Sequence, residues 1–169
     1  MFSRILPAAL FSILLVGCVQ PPEYPIEPVI EFMSLSQDVI PQGKSSDNSL
    51  TITIGFTDGD GDIGHFGDES ENQINDLFVR DLRTDEISQQ FIIWFVPEQG
   101  TTNGISGEIS FDIPTTCCIF PDFVTDAILP CEPSTQYPVD TLIYEIYIQD
   151  RAGNESNRVL TQPIFLQCQ

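Results

Sequence analysis

Apolar and polar residues alternate along most of this chain with the two-residue period of a β-strand. The clearest example is the segment 50–56, where the even-numbered residues are apolar and would share one face of a strand. No segment shows a sustained helical period. Strands are predicted over 29–35, 50–56, 76–82, 91–96, 105–113, 142–148 and 158–166. Short strands separated by turn residues favour a single all-β antiparallel sandwich.

Three of these strands carry a more specific expectation. The segment 91–96 is apolar at every position, which is typical of a strand covered on both faces. We therefore expect its three aromatic side chains in the core rather than on a sugar-binding platform; they are Phe91, Trp94 and Phe95. In the last strand, Pro163 has no backbone N–H to donate, so we expect an edge position or a bulge there. Within 105–113 the residues predicted to face inward are Ile105, Ile109, Phe111 and Ile113.

The first 17 residues have the layout of an export signal. A short start containing Arg4 precedes an apolar run over 5–16, which is too short to remain in a bilayer as a spanning helix. Residues 15–18, Leu-Val-Gly-Cys, resemble the bacterial lipobox, whose cysteine is acylated before cleavage. The resemblance implies that Cys18 becomes the first mature residue and carries acyl chains such as palmitate, enough for stable anchoring. The alternative is an ordinary secretory signal in which Cys18 has no special role.

Three regions then follow along the chain: a signal peptide over 1–17, the lipidated Cys18 with a tether over 18–28, and one domain over 29–169. Residues 19–28 hold four prolines, so the tether is expected to be extended and semi-rigid. Val19 stands after the cysteine in place of the aspartate that can hold lipoproteins at the inner membrane. The predicted localisation is therefore the outer membrane of a bacterial cell envelope, with the domain on either side of it.

The balance of charge excludes some classes of partner. The chain has 25 acidic and 6 basic side chains and a formal net charge of −19. Such a surface repels phosphate backbones, so no nucleic acid is expected as a partner. It also repels anionic lipid head groups, so the link to the membrane is predicted to be the covalent lipid anchor. In an exported protein, strong acidity suits either plain solubility or the binding of divalent cations.

Four cysteines remain besides Cys18, and an even number in an exported chain predicts two disulfides. They are Cys117, Cys118, Cys131 and Cys168. A bridge between the neighbours Cys117 and Cys118 would close a strained ring and is disfavoured. One of these two is therefore expected to pair with Cys131 and the other with Cys168, and both combinations remain open. The rival interpretation, a zinc site, has no histidine nearby.

The strongest chemical signal is the segment 56–64, Phe-Thr-Asp-Gly-Asp-Gly-Asp-Ile-Gly, which follows a predicted strand directly. Calcium prefers about six to eight oxygen ligands, and alternating aspartate with glycine lets a turn curl until several carboxylates converge. Asp58, Asp60 and Asp62 are therefore predicted calcium ligands. The spacing resembles an EF-hand loop, but Ile63 occupies the position of the invariant glycine and a strand leads in. We reject an EF-hand and retain a looser calcium turn; the alternative is an acidic surface turn without an ion.

Two segments near the C-terminus resemble parts of immunoglobulin-like and fibronectin type III-like domains. Residues 140–146, Asp-Thr-Leu-Ile-Tyr-Glu-Ile, resemble the tyrosine corner, and 150–156, Asp-Arg-Ala-Gly-Asn-Glu-Ser, resemble the last hairpin. The resemblance covers the whole domain and implies an Ig-like antiparallel sandwich of about seven strands.

That topology would gather distant residues at the two ends of the domain. The loop after the second strand and the last hairpin share one end. Asp150 is therefore expected as a fourth calcium ligand beside the segment 56–64, referred to below as the aspartate loop. Asn154 lies in the same hairpin, and Glu31 near the start of the domain is expected at that end too; both are weaker candidates. The last strand ends at the opposite pole, where the cysteine-bearing segment is also expected.

The lipobox, the proline-rich tether, the aspartate loop and the segments 116–122 and 150–157 together resemble a group of uncharacterised lipoproteins from Bacteroidetes-type bacteria. The first functional hypothesis is a non-enzymatic interaction module, stabilised by calcium and disulfides, whose partner is an unknown envelope protein. The alternative is a surface lipoprotein that captures a glycan or another ligand, and a hydrolase is less favoured. His65 is the chain's sole histidine and no serine lies in a nucleophile-elbow context, so catalytic residues are not predicted.

Overall fold

The computed structural model describes residues 23–44, 48–65, 74–97, 104–121 and 129–169, and within these ranges the chain forms ten β-strands and no helix. The strands are β1 (Val29–Leu35), β2 (Val39–Pro41), β3 (Ser49–Asp58), β4 (Leu77–Asp81), β5 (Glu86–Phe91), β6 (Ile105–Pro114), β7 (Val139–Leu142), β8 (Tyr144–Ile148), β9 (Val159–Leu160) and β10 (Ile164–Gln167).

The first sheet contains β1, β3 and β6, with β3 in the centre and antiparallel to both neighbours. β3 and β6 pair over their full length, from Ser49 opposite Pro114 to Asp58 opposite Ile105. β1 starts opposite the last residues of β3, where Val29 lies across from Thr57. The C-terminal end of β3 therefore lies at the same end of the domain as the start of β1.

The second layer consists of two hydrogen-bonded groups of strands, β5-β4-β8-β9 and β2-β10-β7. The two groups are continuous along the chain, because only Ile143 separates β7 from β8 and only residues 161–163 separate β9 from β10. A hydrogen bond from Thr161 N–H to Tyr144 O, at 2.9 Å, also links the segment between β9 and β10 to the start of β8. β2 runs parallel to β10, whereas the other pairs are antiparallel. The orders β1-β3-β6 and β5-β4-β8-β9 are those of an immunoglobulin-like sandwich, so the predicted all-β sandwich is confirmed.

The core lies between the two layers and is built from alternate residues of each strand. Ile52 and Ile54 of β3 are fully buried, as are Val79 of β4 and Ile146 and Ile148 of β8. The inward face predicted for 105–113 is also observed: three of its four residues are buried and the fourth packs against the core as a partly buried side chain. The two-residue period thus decides which side chains leave water, and burial of apolar surface is the main stabilising term of such a sandwich.

The prediction of a strand over 91–96 is wrong, because β5 begins and ends earlier. A tight turn follows β4: the Asp85 N–H donates to Asp81 O at 2.8 Å, and Asp85 has a φ of 59°. The chain therefore reverses at once, and pairing with β4 starts at Glu86 and stops at Phe91. Turn geometry fixed this register, whereas the run of apolar residues further along did not.

The residues after β5 leave the sheet, and the expectation that Trp94 lies in the core is wrong. Trp94 is 74% exposed, whereas its neighbour Ile93 is 5% exposed. Phe91 and Phe95 are partly buried. The segment 92–96 is held by backbone hydrogen bonds to Ile63 and His65, with Ile93 buried and Ile92 and Trp94 exposed.

The single strand predicted over 158–166 is instead divided at Pro163, since β9 ends at Leu160 and β10 starts at Ile164. Pro163 therefore lies between two strands rather than in an edge strand or a bulge. β2 was not predicted. It is three residues long and alternates over too short a stretch to give a sequence signal, yet it pairs with β10 from Val39 opposite Phe165.

Two disulfides lie at the end of the domain opposite the last residues of β3. Cys117 is bonded to Cys131 and Cys118 to Cys168, with Cα–Cα distances of 4.6 and 6.0 Å. The prediction that the neighbouring cysteines have separate partners is confirmed, and the structure selects one of the two combinations left open.

The signal peptide, Cys18 and the first part of the tether lie outside the described residues, so the lipid anchor stays a prediction. The described ranges contain no helix that is long and apolar enough to cross a membrane.

Candidate metal centre

The aspartate loop leaves the C-terminal end of β3 and is shaped by two glycines. Gly61 and Gly64 have φ values of 75° and 78°, a left-handed conformation that disfavours any side chain. Between them Ile63 is fully buried and holds the loop against the core. The glycine pattern therefore folds the loop back over the end of the sandwich instead of letting it extend into solvent.

Asp58 is the innermost acidic residue of the loop, with no exposed surface. Its Oδ2 accepts hydrogen bonds from the backbone N–H groups of Gly61, at 2.9 Å, and Asp62, at 3.0 Å. Its Oδ1 is buried and has no hydrogen-bond partner. A buried carboxylate oxygen without a partner costs free energy, so this atom calls for a ligand.

Asp62 repeats this arrangement and joins the loop to the hairpin between β8 and β9. Its Oδ2 accepts a hydrogen bond from Ala152 N–H at 3.0 Å, and its backbone oxygen accepts one from Arg151 N–H at 3.2 Å. Its Oδ1 is also buried without a hydrogen-bond partner. In both Asp58 and Asp62, one carboxylate oxygen thus accepts hydrogen bonds from backbone N–H groups and the other has no hydrogen-bond partner.

Asp150 is the contribution of the hairpin, and it is held by Asn154. The Asn154 backbone N–H donates to Asp150 Oδ1 at 2.7 Å, and the side-chain amide of Asn154 donates to Oδ2 at 2.8 Å. Gly153 has a φ of 91°, which lets the hairpin close around these bonds. Asn154 therefore positions Asp150 through its N–H groups, and its weaker role as a direct ligand stays a prediction.

The structure brings together the four aspartates named from the sequence. Asp58, Asp60, Asp62 and Asp150 each offer one carboxylate oxygen, and these oxygens lie within 4.8 Å of one another. Calcium binds oxygen at about 2.3–2.6 Å, so ligands on opposite sides of the ion are separated by roughly twice that distance. The spacing, the hard oxygen donors and the two unsatisfied oxygens fit a divalent cation. Water or backbone oxygens would complete its coordination.

The cluster is electrostatically strained when it has no cation. Burial, followed by repulsion from Asp60 and Asp62, raises the pKa of Asp58 to about 6, against the lowering effect of its backbone hydrogen bonds. Burial also raises the pKa of Asp62, and the charges of Asp150 and Asp60 add to the effect. A bound cation would remove this repulsion and favour the ionised forms.

Glu31 is not brought to the cluster, which corrects that weaker prediction. It lies in β1 opposite Gly55 of β3, and its neighbour Ile30 is buried opposite the buried Phe56. Successive side chains of a strand point to opposite faces, so Glu31 lies on the outer face of the sheet. Asp58 is two residues after Phe56 in β3 and therefore lies on the same inner face as Phe56.

The segment before β1 packs on the aspartate loop, a contact with no signal in the sequence. A Cβ placed on Gly59 would lie 2.5 Å from the backbone oxygens of both Tyr24 and Pro25. Pro28 is buried and Tyr24 is partly buried. The end of the proline-rich tether therefore rests against the loop, and any side chain at position 59 would force the two apart.

A second buried carboxylate lies beside the loop and was not singled out from the sequence. Asp76 is 1% exposed, its Oδ1 accepts a hydrogen bond from Ile93 N–H at 2.5 Å, and its Oδ2 lies 3.9 Å from His65 Nε2. Burial raises the pKa of Asp76 to about 6, although the hydrogen bond from Ile93 and the nearby His65 lower it. Asp76 thus ties the segment after β5 to the domain.

Comparison of the chain with protein-family models, with curated proteins and with solved structures finds no match.

Proposed function

We propose that this protein is a lipid-anchored module of the bacterial cell envelope that binds another envelope component, has no catalytic activity, and is stabilised by calcium. The observation that carries the proposal is the convergence of Asp58, Asp60, Asp62 and Asp150, two of which, Asp58 and Asp62, have a buried carboxylate oxygen without a hydrogen-bond partner. Four carboxylates held together at the end of a sandwich favour the binding of a cation, because without one their negative charges repel one another.

Calcium in this position would join two parts of the chain that are distant in sequence. Asp58 is the last residue of β3, Asp60 and Asp62 follow it in the loop, and the fourth ligand comes from the hairpin between β8 and β9. These strands belong to opposite sheets. The ion would therefore stiffen one end of the domain while the disulfides fix the other end, which suits a module that presents a rigid surface to a partner.

A non-enzymatic role is supported by the surroundings of the residues that would carry catalysis. His65 is engaged with the buried Asp76, and its backbone N–H and oxygen are bonded to Ile93 and Phe95. The alternative of glycan capture draws support from the exposed Trp94. A sugar platform usually needs several coplanar aromatics, however, and in the described ranges the other exposed aromatic side chain is Phe165, in β10. We therefore favour a protein partner.

The calcium proposal is tested by thermal unfolding of the purified mature protein. After treatment with EDTA, addition of CaCl₂ at about one hundred times its dissociation constant should stabilise the fold by about 2.7 kcal/mol. For a domain of this size we expect a rise in Tm of about 5–10 °C. Asp60→Asn should remove most of this rise, because Asp60 is an exposed residue of the cluster and its replacement takes away one charged ligand without disturbing the core.

Asp38→Asn is the matched control, since Asp38 is an exposed aspartate outside the cluster and should leave the calcium response unchanged. An EDTA-treated protein whose Tm does not respond to millimolar calcium would refute the proposal.

The lipid anchor is tested separately by Cys18→Ser. The lipobox resemblance predicts that this variant is no longer acylated, so it should move from the membrane fraction to the soluble fraction after cell lysis and low-speed and high-speed centrifugation. Mass spectrometry of the wild-type N-terminal peptide should show the mass of the acyl chains. Retention of the variant in washed membranes would contradict covalent anchoring at Cys18.

A further inference from the structure

The segment after β5 presents the chain's sole tryptophan to solvent from a rigid backbone. The His65 N–H donates to Ile93 O at 2.9 Å, and the Phe95 N–H donates to His65 O at 3.0 Å, so the residues on either side of Trp94 are held. A Cβ on Gly64 would lie 2.4 Å from Trp94 O, which shows how closely the two backbones approach. Trp94 is nevertheless 74% exposed. Tryptophan is enriched at the energetic centres of protein interfaces, so an exposed indole on a fixed backbone is a candidate anchor for a partner.

Trp94 stands at the side of an open groove of about 440 Å³ between the two sheets. One wall is the end of β5 and the segment after it, including Phe91, Ile92 and Val96, and the other wall is six consecutive residues of β6 from Ser106 to Phe111. Six residues of a strand span about 20 Å. The groove therefore follows β6, and its volume suits a short extended segment. The rings of Phe91 and Phe111, with centroids 5.1 Å apart, connect its two walls.

The charge of the groove selects the class of partner. Glu108 is the one charged residue among those lining it, and none of them is basic. On the other side of β6, Glu108 also borders a hollow over Gly55 that Glu31 lines. Three of the described arginines, Arg80, Arg83 and Arg158, are in ion pairs. Arg151 does not line the groove; it lies over the Phe95 ring and donates to Gly64 O at 2.8 Å. A single carboxylate without a basic neighbour in the lining, on a chain with a net charge of −19, favours cationic partners over anionic ones.

We propose that the groove beside Trp94 is a docking site for an extended basic segment of a partner protein, whose lysine or arginine side chains enter the groove that Trp94 and Glu108 line. The aliphatic stem of such a side chain packs on Ile92 and Ile109, and its cationic head finds both an indole face and a carboxylate. This inference names the partner class of the interaction role proposed above and rests on that role, but it does not require calcium.

The first test uses the emission of Trp94, which reports on the groove because the chain has no other tryptophan. The purified mature protein is titrated with a ten-residue peptide that alternates lysine and threonine. We expect a saturable change in emission and a loss of affinity of about tenfold between 50 and 300 mM NaCl. The same peptide with glutamate in place of lysine, and a linear glucose hexasaccharide, should produce no saturable change.

The second test measures the anisotropy of the labelled basic peptide with variants. Trp94→Ala should weaken binding at least tenfold and Glu108→Gln about threefold. Phe165→Ala removes the other exposed aromatic of the described residues, and Glu86→Gln removes an acid at the opposite end of the domain, so both should bind like wild type. Thermal unfolding of each variant confirms that it is folded.

Equal binding by wild type and Trp94→Ala, or equal losses in Glu108→Gln and Glu86→Gln, would overturn the docking site. Binding of the hexasaccharide in place of the peptide would also overturn it while leaving an interaction role intact. All titrations are performed in calcium and in EDTA, so that failure of the calcium proposal is separated from failure of the docking site.

Discussion

Replacing Cys118 and Cys168 with alanine is expected to lower the free energy of unfolding by about 4 kcal/mol, because the cross-link removes the closure entropy of a long loop from the unfolded chain. The two cysteines are 50 residues apart in sequence, and both side chains are buried, so alanine also leaves unfilled space. For a domain of this size the corresponding fall in Tm is about 8–16 °C. Differential scanning calorimetry of the oxidised protein measures it.

The position of this bridge adds to its effect. Cys118 lies in the segment after β6, the edge of the first sheet, and Cys168 follows β10 of the second layer. The Cys168 N–H donates to Pro138 O at 2.9 Å, and Ser134 N–H donates to Cys168 O at 2.7 Å. The bridge therefore fixes the C-terminal strand and the segment around Ser134 together, and its loss should loosen both.

The Cys117–Cys131 bridge is the internal comparison. Its sequence separation is 14 residues, for which the same entropy estimate gives about 3 kcal/mol. Alanine at both positions should therefore lower Tm less than loss of the Cys118–Cys168 bridge does. A larger fall for the Cys117–Cys131 variant would show that loop entropy and burial do not determine the stability of this end of the domain.

Much of the candidate site could be predicted because it depends on topology. Alternation over β3 put Ile52 and Ile54 in the core, and the same parity carries Asp58 inward at the end of the strand. Once β3 and the hairpin after β8 are assigned to facing sheets, Asp150 must lie near the loop. The strain of a bridge between neighbours predicted separate partners for Cys117 and Cys118, but which of them pairs with Cys168 was left open.

The misplaced features depend on contacts that leave no periodic signal. The uniform apolar run over 91–96 does not say which face is buried, and the turn at Asp85 determined where β5 ends. Trp94 is exposed for this reason. The approach of Tyr24 and Pro25 to Gly59 joins residues far apart in sequence. A glycine between two aspartates looks the same in the sequence whether or not another segment packs on it, so this contact could not be predicted. Glu31 is not at the cluster because it is next to the inward-facing Ile30 in β1, so its side chain lies on the outer face of the sheet.

The contribution of Asp58 to the pH dependence of stability should change sign when calcium is added, whereas that of Asp76 should not. In EDTA, the pKa of Asp58 and that of Asp76 are about 6 in the folded protein, against an ordinary value of 3.8. The folded state therefore binds more protons than the unfolded state between roughly pH 4 and 6. The contribution of each group is fully present below about pH 4 and is lost as pH rises through about 6, an effect on the order of 2–3 kcal/mol each.

Differences between wild type and two matched variants isolate these groups from the other acids. In EDTA at pH 7, Asp58→Asn and Asp76→Asn should each be more stable than wild type, since each removes a buried charge and retains a carbonyl oxygen for the backbone hydrogen bonds that the carboxylate accepts. Below pH 4 this advantage should disappear. The measurement is urea unfolding from pH 3.5 to 7.5.

Calcium then separates the two variants, because only Asp58 belongs to the proposed ion site. With calcium at pH 7, wild type and Asp76→Asn should both be stabilised, whereas Asp58→Asn should respond weakly and become less stable than wild type. The calcium effect on wild type should shrink below pH 6, as protons compete for the carboxylates. If Asp76→Asn lost the calcium response, or if Asp58→Asn kept it, the ion would not be bound by the cluster of Asp58, Asp60, Asp62 and Asp150.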